Sequence, residues 1–210
     1  MRRLLIILIL LLVAILVVGD FALKSVAENR IASAAFNTLE LDRRPEVEIE
    51  GFPFLFRLVG GELDSVSLSA DRVTREDVVL RDVEVMFRSV RFSIGELLAR
   101  GDRSIRLGQG RGEAALTSED ATSAAQARGA PVTIEFGSGT VVVISEDLGI
   151  EASARLGISG GDLLIEPEGD LPAVAVPLPE IAPGVTYRSV RIDEGRAILQ
   201  VRMEPTTLRF

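Results

Sequence analysis

The chain contains no cysteine and no histidine. The first absence removes disulfides and thiol chemistry from this chain alone, and the two together remove zinc sites built on Cys or His. Imidazole general bases and Ser-His-Asp triads go with the second. Lacking cysteine, the chain suits either side of a membrane. Lys24 is the single lysine, so Schiff-base chemistry would have to occur just past an apolar run. Basic side chains are also scarce: 23 Lys and Arg face 31 Asp and Glu, for a formal net charge of −8. That balance argues against nucleic acid as a partner, because phosphate binding needs clustered cations, and against broad adhesion to anionic lipid surfaces. With 47% apolar residues, the 210-residue chain is no disordered polyelectrolyte and suits one domain with a sizeable core.

Apolar sequence is abundant at the start. Arg2 and Arg3 precede an unbroken apolar run over residues 4–18. Fifteen helical residues span about 22 Å, short of a bilayer core of about 30 Å, and extension to Leu23 supplies the missing length. The reading is an uncleaved signal anchor over residues 1–23, followed by one extracytoplasmic domain over 24–210. A cleaved secretory signal, ending near Gly19 or Ala27, is the alternative. Either way Arg2 and Arg3 keep the N-terminus inside and place the rest across the membrane. From Asp20, taken as an N-cap, a helix is expected to about Leu39. Its apolar positions Leu23, Val26, Ala27, Ile31, Ala34, Ala35 and Leu39 recur at three- and four-residue spacing. Its apolar face is mostly alanine, so packing on a sheet is expected over lying on a bilayer.

Beyond Pro45 the period changes to two. Val47 and Ile49 alternate with Glu46, Glu48 and Glu50, as on a strand with one dry face. Gly51-Phe52-Pro53-Phe54-Leu55-Phe56 follows, holding three of the nine phenylalanines. Gly51 and Pro53 set a turn at the strand end. Three large rings crowded around Pro53 within five residues are not all expected to enter one core, so at least one of Phe54 and Phe56 is expected to point away from it. Further strands are expected at 62–70, 78–87 and 90–94, where Val66, Leu68 and Ala70, then Val83, Val85 and Phe87, align on one face. A helical turn is expected at 94–98, and Arg100-Gly101-Asp102 is ordinary turn composition.

Gly108-Gln109-Gly110-Arg111-Gly112 lacks the Lys-Ser/Thr of a phosphate loop and the setting of a dinucleotide fold, so a bulged strand over 104–117 is expected. Thr117-Ser118-Glu119-Asp120 reads as a cap for a short helix to Ala127. Glu119-Asp120 and Glu146-Asp147 are carboxylate pairs, and both suit caps and turns better than a metal or acid–base site. Hairpin strands follow around Val132–Phe136, Val141–Val143, Ile150–Leu156 and Leu163–Ile165. Residues 166–184 hold Pro167, Pro172, Pro177, Pro179 and Pro183 among apolar side chains, a composition confined to a sheet edge or laid across an opening. A last hairpin joins 185–192 to 197–203 across Asp193-Glu194-Gly195-Arg196.

Several of these blocks together resemble the LmeA-like phospholipid-binding family of bacterial cell-envelope proteins. They are the N-terminal anchor, Ala27-Glu28-Asn29-Arg30-Ile31-Ala32, Gly51-Phe52-Pro53-Phe54-Leu55, Gly61 with Val66 and Leu68, Ala115-Leu116-Thr117-Ser118-Glu119-Asp120, and Ser189-Val190 with Ile192. Members often continue the aromatic block with Thr-Gln, where this chain has Phe56-Arg57. The resemblance implies a curved β-sheet wrapped with helices around an apolar cavity that accepts lipid, and a role in envelope lipid or lipoglycan metabolism. It carries over no catalytic residue.

The fold expected is therefore α+β: an N-terminal membrane helix, then a long amphipathic helix on a highly curved, mainly antiparallel sheet enclosing an apolar groove. The function expected is non-enzymatic binding of a phospholipid or other acyl lipid at the bacterial cell membrane, with no cofactor and no metal. Candidate lining residues are Phe52, Phe54, Leu55, Phe56, Val66, Leu68, Val83 and Val85, against the plain alternative that they are ordinary core. Two other functions stand beside it. An envelope scaffold would bind a protein through an exposed sheet edge. A hydrolase would need a nucleophile that no elbow pattern supplies.

Overall fold

One helix, α1 (Arg2–Thr38), carries the N-terminal apolar run straight into the folded domain. The computed structural model describes residues 2–38, 41–75, 77–93, 104–145, 147–169, 172–179 and 184–209. The turn expected at 94–98, the Arg100-Gly101-Asp102 tripeptide, Glu146 and parts of the proline-rich connection lie outside them. No new helix begins at Asp20, contrary to the expected N-cap. Its carboxylate instead accepts hydrogen bonds from residues 34 and 35 positions later, and the backbone of α1 runs on through it.

Among the described residues, thirteen strands, β1 to β13, form two antiparallel sheets. The first is eight-stranded, in the order β1 (Glu46–Glu50), β2 (Glu62–Arg75), β3 (Val78–Phe92), β5 (Gly110–Thr117), β12 (Arg196–Met203), β11 (Val185–Asp193). Its β4 (Ser104–Leu107) pairs with the end of β3 and with β13 (Thr206–Arg209). The second is five-stranded, in the order β10 (Val174–Pro177), β9 (Asp162–Pro167), β8 (Ile150–Ser159), β7 (Val141–Ser145), β6 (Thr133–Phe136). The proline-rich segment thus contributes an edge strand, β10, where a missing N–H costs the ladder nothing.

The two runs expected at 78–87 and 90–94 are one strand, β3, whose apolar phase changes twice. Val78 and Leu80 are buried, then Val83 and Val85, then Val90. Asp82 and Ser89, with φ of 47° and 56°, mark the two changes. Against β5 the register slips between Arg81 and Glu84. Such bulges bend and twist the strand, so the long β2–β3 ribbon curls and buries different residues along its length.

One glycine of the run at 108–112 has the same origin. A Cβ at Gly112 would sit 2.3 Å from the Glu84 carbonyl oxygen, because β5 runs close to β3 beside the bulge. Helix α3 (Ser118–Ala127) follows, capped as expected: the Thr117 hydroxyl accepts from the Asp120 N–H at 3.2 Å. Ala121, Ala124 and Ala125 turn inward. The main core fills the space between the sheets and α3, including Leu80, Leu116, Ile134, Leu163, Ile165 and Leu199. A second core lies beneath α1, where Ala32, Val47, Ile49, Phe54, Leu63, Val66 and Val90 pack together. Phe87 touches both.

Candidate functional site

The aromatic stretch folds as a corner followed by one short helix. Gly51 takes a φ of 116°, the Phe52–Pro53 peptide is cis, and α2 runs from Phe54 to Gly60. Gly61 (φ 71°) closes α2 in the left-handed region that ends many helices, where glycine carries no Cβ penalty. Pro53 offers α2 no side-chain cap. The exposed N–H groups of the first turn are taken by α1: Phe54 donates to Asp20 Oδ2 at 2.9 Å and Leu55 to Oδ1 at 2.7 Å. Asp20 is 4% exposed, and its charge is matched to the positive end of α2. Arg57 pairs with Asp64 at 2.8 Å, fixing the other side of α2 to β2.

Helical geometry separates the rings. Phe54 is 2% exposed, inside the second core, whereas Phe56, two residues on and rotated by about 200°, is 78% exposed. Leu55 is half-buried. Phe52 is 61% exposed and stacks on Phe21 of α1, ring centroids 6.2 Å apart. Val59, one turn beyond Phe56, is 73% exposed. Outside the apolar run of α1, so many large apolar side chains left open on one short helix and its corner form a patch that water penalises.

The remaining candidates lie on one face of the β2–β3 ribbon, in the cross-strand pairs Val66 with Phe87, Leu68 with Val85, and Ala70 with Val83. Val66 joins Phe54 in the second core, and Leu68 packs partly against it. Val83 and Val85 belong to the main core. The structure therefore brings Phe54, Val66 and Leu68 together, continues the same face to Val85 and Val83, and puts Phe52 and Phe56 outside on the surface.

Three features carry no site signal in the sequence pattern. Asp20 is the first, although a carboxylate at the end of an apolar run is a costly residue that signals a partner. The second is an apolar cleft of about 510 Å³ between the end of α3, β7 and residues 172–175, bounded by Ala125, Ala130, Val132, Val143, Leu148 and Val174. The third is the ion pair of the Asp120 carboxylate, read from sequence only as part of a cap, which receives Arg81 Nε at 2.6 Å, Arg81 Nη2 at 3.1 Å and the Thr117 hydroxyl at 2.6 Å. Burial alone would push this carboxyl up, but the Arg81 and Thr117 hydrogen bonds outweigh it and hold it below the usual range. Each of its oxygens is engaged, so Asp120 fastens α3 to β3.

Two sheet edges are occupied. The Ile49 N–H of β1 donates to Glu28 of α1 at 2.9 Å. On β6, Ile134 N–H donates to the Thr122 hydroxyl at 2.9 Å and Phe136 N–H to the Ser118 hydroxyl at 2.8 Å. Among the described residues no cluster of three or more acidic side chains is arranged to hold a metal ion.

Comparison with known proteins gives one family: a family model described as LmeA-like phospholipid-binding matches residues 18–209. No curated protein and no solved structure matches the chain.

Proposed function

The chain belongs to the LmeA-like phospholipid-binding family, and from that membership we propose that it is a single-pass, membrane-anchored protein whose extracytoplasmic domain binds phospholipid for envelope lipid or lipoglycan metabolism or transport. The observation that carries the reading is the patch of Phe52, Phe56 and Val59, exposed by 61, 78 and 73% beside an apolar helix. A soluble domain gains nothing from such a surface, whereas a lipid acyl chain covers it. Phe52, Leu55 and Phe56 contact the lipid, and Phe54, Val66, Leu68, Val85 and Val83 form the floor that holds their backbone in place. The anchor is α1, the described helix long and apolar enough to cross a membrane, with Arg2 on the cytoplasmic side.

The scaffold alternative needs a free sheet edge. Side chains of α1 and α3 already take backbone donors of β1 and β6. Edge strand β11 is irregular between Tyr187 and Ser189 and carries exposed Arg188 and Arg191, both features that discourage strand addition. Lipid binding is therefore the reading with the stronger support.

Native mass spectrometry of the full chain released from detergent tests it. The expected result is retained phospholipid of unchanged mass, together with uptake of labelled phospholipid from vesicles. A lipid-free protein that also takes up none would overturn the proposal, and release of a free fatty acid or headgroup would make the protein a hydrolase instead.

A further inference from the structure

The unbroken apolar run of α1 is by itself too short for the membrane it enters, and bilayer length is reached only by carrying the span past Asp20 to Leu23. Residues 4–18 cover about 22 Å of a hydrocarbon core about 30 Å thick, a deficit of about 8 Å, or about five residues. The next turns hold Asp20, whose charge is costly at that depth. Both difficulties have one structural answer. Asp20 is screened by the two backbone N–H groups of α2. The corner before that element stacks Phe52 on Phe21, itself 60% exposed, and α2 itself leaves Phe56 and Val59 open. At the level of residues 19–23 the apolar surface thus widens from one helix to two.

We propose that α2 and the Phe52-Pro53 corner are an interfacial foot, seated in the hydrocarbon–headgroup boundary of the leaflet from which α1 emerges, with Asp20 as its positioning residue. The lipid that covers the patch is that of the surrounding leaflet, because Phe52 stacks on Phe21 of the spanning helix with ring centroids 6.2 Å apart, at the level where Asp20 interrupts the apolar surface. This rests on the anchor reading above. The height of the foot is fixed, since no linker intervenes: α1 continues unbroken into the domain, Glu28 holds the Ile49 N–H, and Ala27, Ile31 and Ala32 pack into the second core. Charged groups stand where the headgroups would lie. Lys24 pairs with Glu28 at 3.6 Å one turn past Asp20, and Arg57 with Asp64 at 2.8 Å, both on stems long enough to reach outward from apolar surroundings. A lipid then reaches Phe52 and Phe56 sideways from the leaflet without crossing water.

The chain has no tryptophan, so each single substitution is its own reporter. The full chain is placed in phosphatidylcholine vesicles brominated in the upper acyl chain, as three variants: Leu11→Trp within the span, Phe56→Trp on the foot, and Leu148→Trp on the β7–β8 turn. The expected result is blue-shifted emission for Phe56→Trp and a fractional quenching at least half that of Leu11→Trp, with Leu148→Trp unquenched. Quenched Leu11→Trp with unquenched Phe56→Trp would overturn the foot and leave the anchor standing. If neither is quenched, the anchor reading fails and the foot fails with it. Equal quenching of Leu148→Trp would also overturn selective seating. Adding Asp20→Ala to Phe56→Trp is expected to lower its quenching toward the Leu148→Trp value with the circular dichroism spectrum unchanged, and undiminished quenching would remove Asp20 from the role.

Discussion

Replacing the two neighbouring rings of α2 separates structure from binding. Phe54 is 2% exposed among Val47, Ile49, Leu63, Val66 and Val90. A buried phenylalanine hides about 150–250 Å², and at about 25 cal/mol/Å² this is about 4–6 kcal/mol, in line with the ~3–5 kcal/mol that Phe→Ala substitutions cost in cores. Domains are stable by only about 5–15 kcal/mol, so Phe54→Ala should remove about a fifth or more of the folding free energy. Phe56, 78% exposed, has little burial to lose, and Phe56→Ala should stay within about 0.5 kcal/mol of the parent. Urea unfolding followed by circular dichroism gives the first quantity. Uptake of labelled phospholipid, expressed per folded molecule, gives the second. The expected pattern is crossed: Phe54→Ala loses stability and keeps uptake in the molecules that remain folded, while Phe56→Ala keeps stability and loses uptake. Unchanged uptake in Phe56→Ala would refute the assignment of that ring to lipid. A cost near 1 kcal/mol for Phe54→Ala would refute its place in the core.

Two further substitutions probe how α3 and the proline-rich segment are held. Asp120 is held below the usual carboxylate range in the folded state. Its contribution to stability is therefore present above the unfolded value of about 3.9 and is lost as pH falls through the lower folded value. Asp120→Asn should cost about 2 kcal/mol or more at neutral pH and flatten the loss of stability below pH ~4, measured as urea midpoints across that range. The Tyr187 hydroxyl is buried and donates to the Pro179 carbonyl at 2.7 Å, and burial raises its pKa far above the usual tyrosine range. Tyr187→Phe should cost about 1–2 kcal/mol and leave that carbonyl unpaired, seen as a lower melting temperature and faster proteolysis between residues 172 and 184.

Much of this fold is written locally in the chain. The alternation of Val47 and Ile49, the aligned Val66, Leu68 and Ala70, and the pairing of Val83 with Val85 on one face mark strand positions and buried faces by period alone, whereas the phase changes along 78–92 read as a break between two strands. Thr117 to Asp120 and the hairpin around Gly195 are legible for the same reason, since their hydrogen bonds join near neighbours. What sequence does not carry is the identity of the partner across space. Periodicity shows that Val83 and Val66 are buried, but not that they enter different cores. It does not show that the strands divide into two sheets. Asp20 looks like the start of a helix because local rules favour Asp there, and the bond that overrides them comes from 34 residues away. The directions of the three rings depend on whether residues 54–60 are strand or helix, and Pro53 at the first boundary serves both.

The continuity of α1 changes what anchoring means for this domain. A flexible tether leaves a domain to tumble above the bilayer, and a lipid must then leave the membrane through water to reach it. Here the helix that begins in the apolar run ends packed beneath β1, with Asp20 on α2, Glu28 on β1 and Ser33 on Arg44 as successive side-chain attachments along its length. Each attachment removes a freedom of rotation that a linker would keep. On the proposed seating, the cost of exposing Phe52, Phe56 and Val59 would be incurred at one fixed height beside the span, where hydrocarbon rather than water would meet them. Inserting Gly-Ser residues after Thr38 would loosen only the Ser33–Arg44 attachment and leave α1 joined to α2 and β1 through Asp20 and Glu28, whereas inserting them between Phe21 and Lys24 would break the helix between span and domain. Only the second insertion should reduce lipid uptake from vesicles while sparing the unfolding midpoint of the domain. Equal uptake in both would mean that a tether serves as well as a rigid strut.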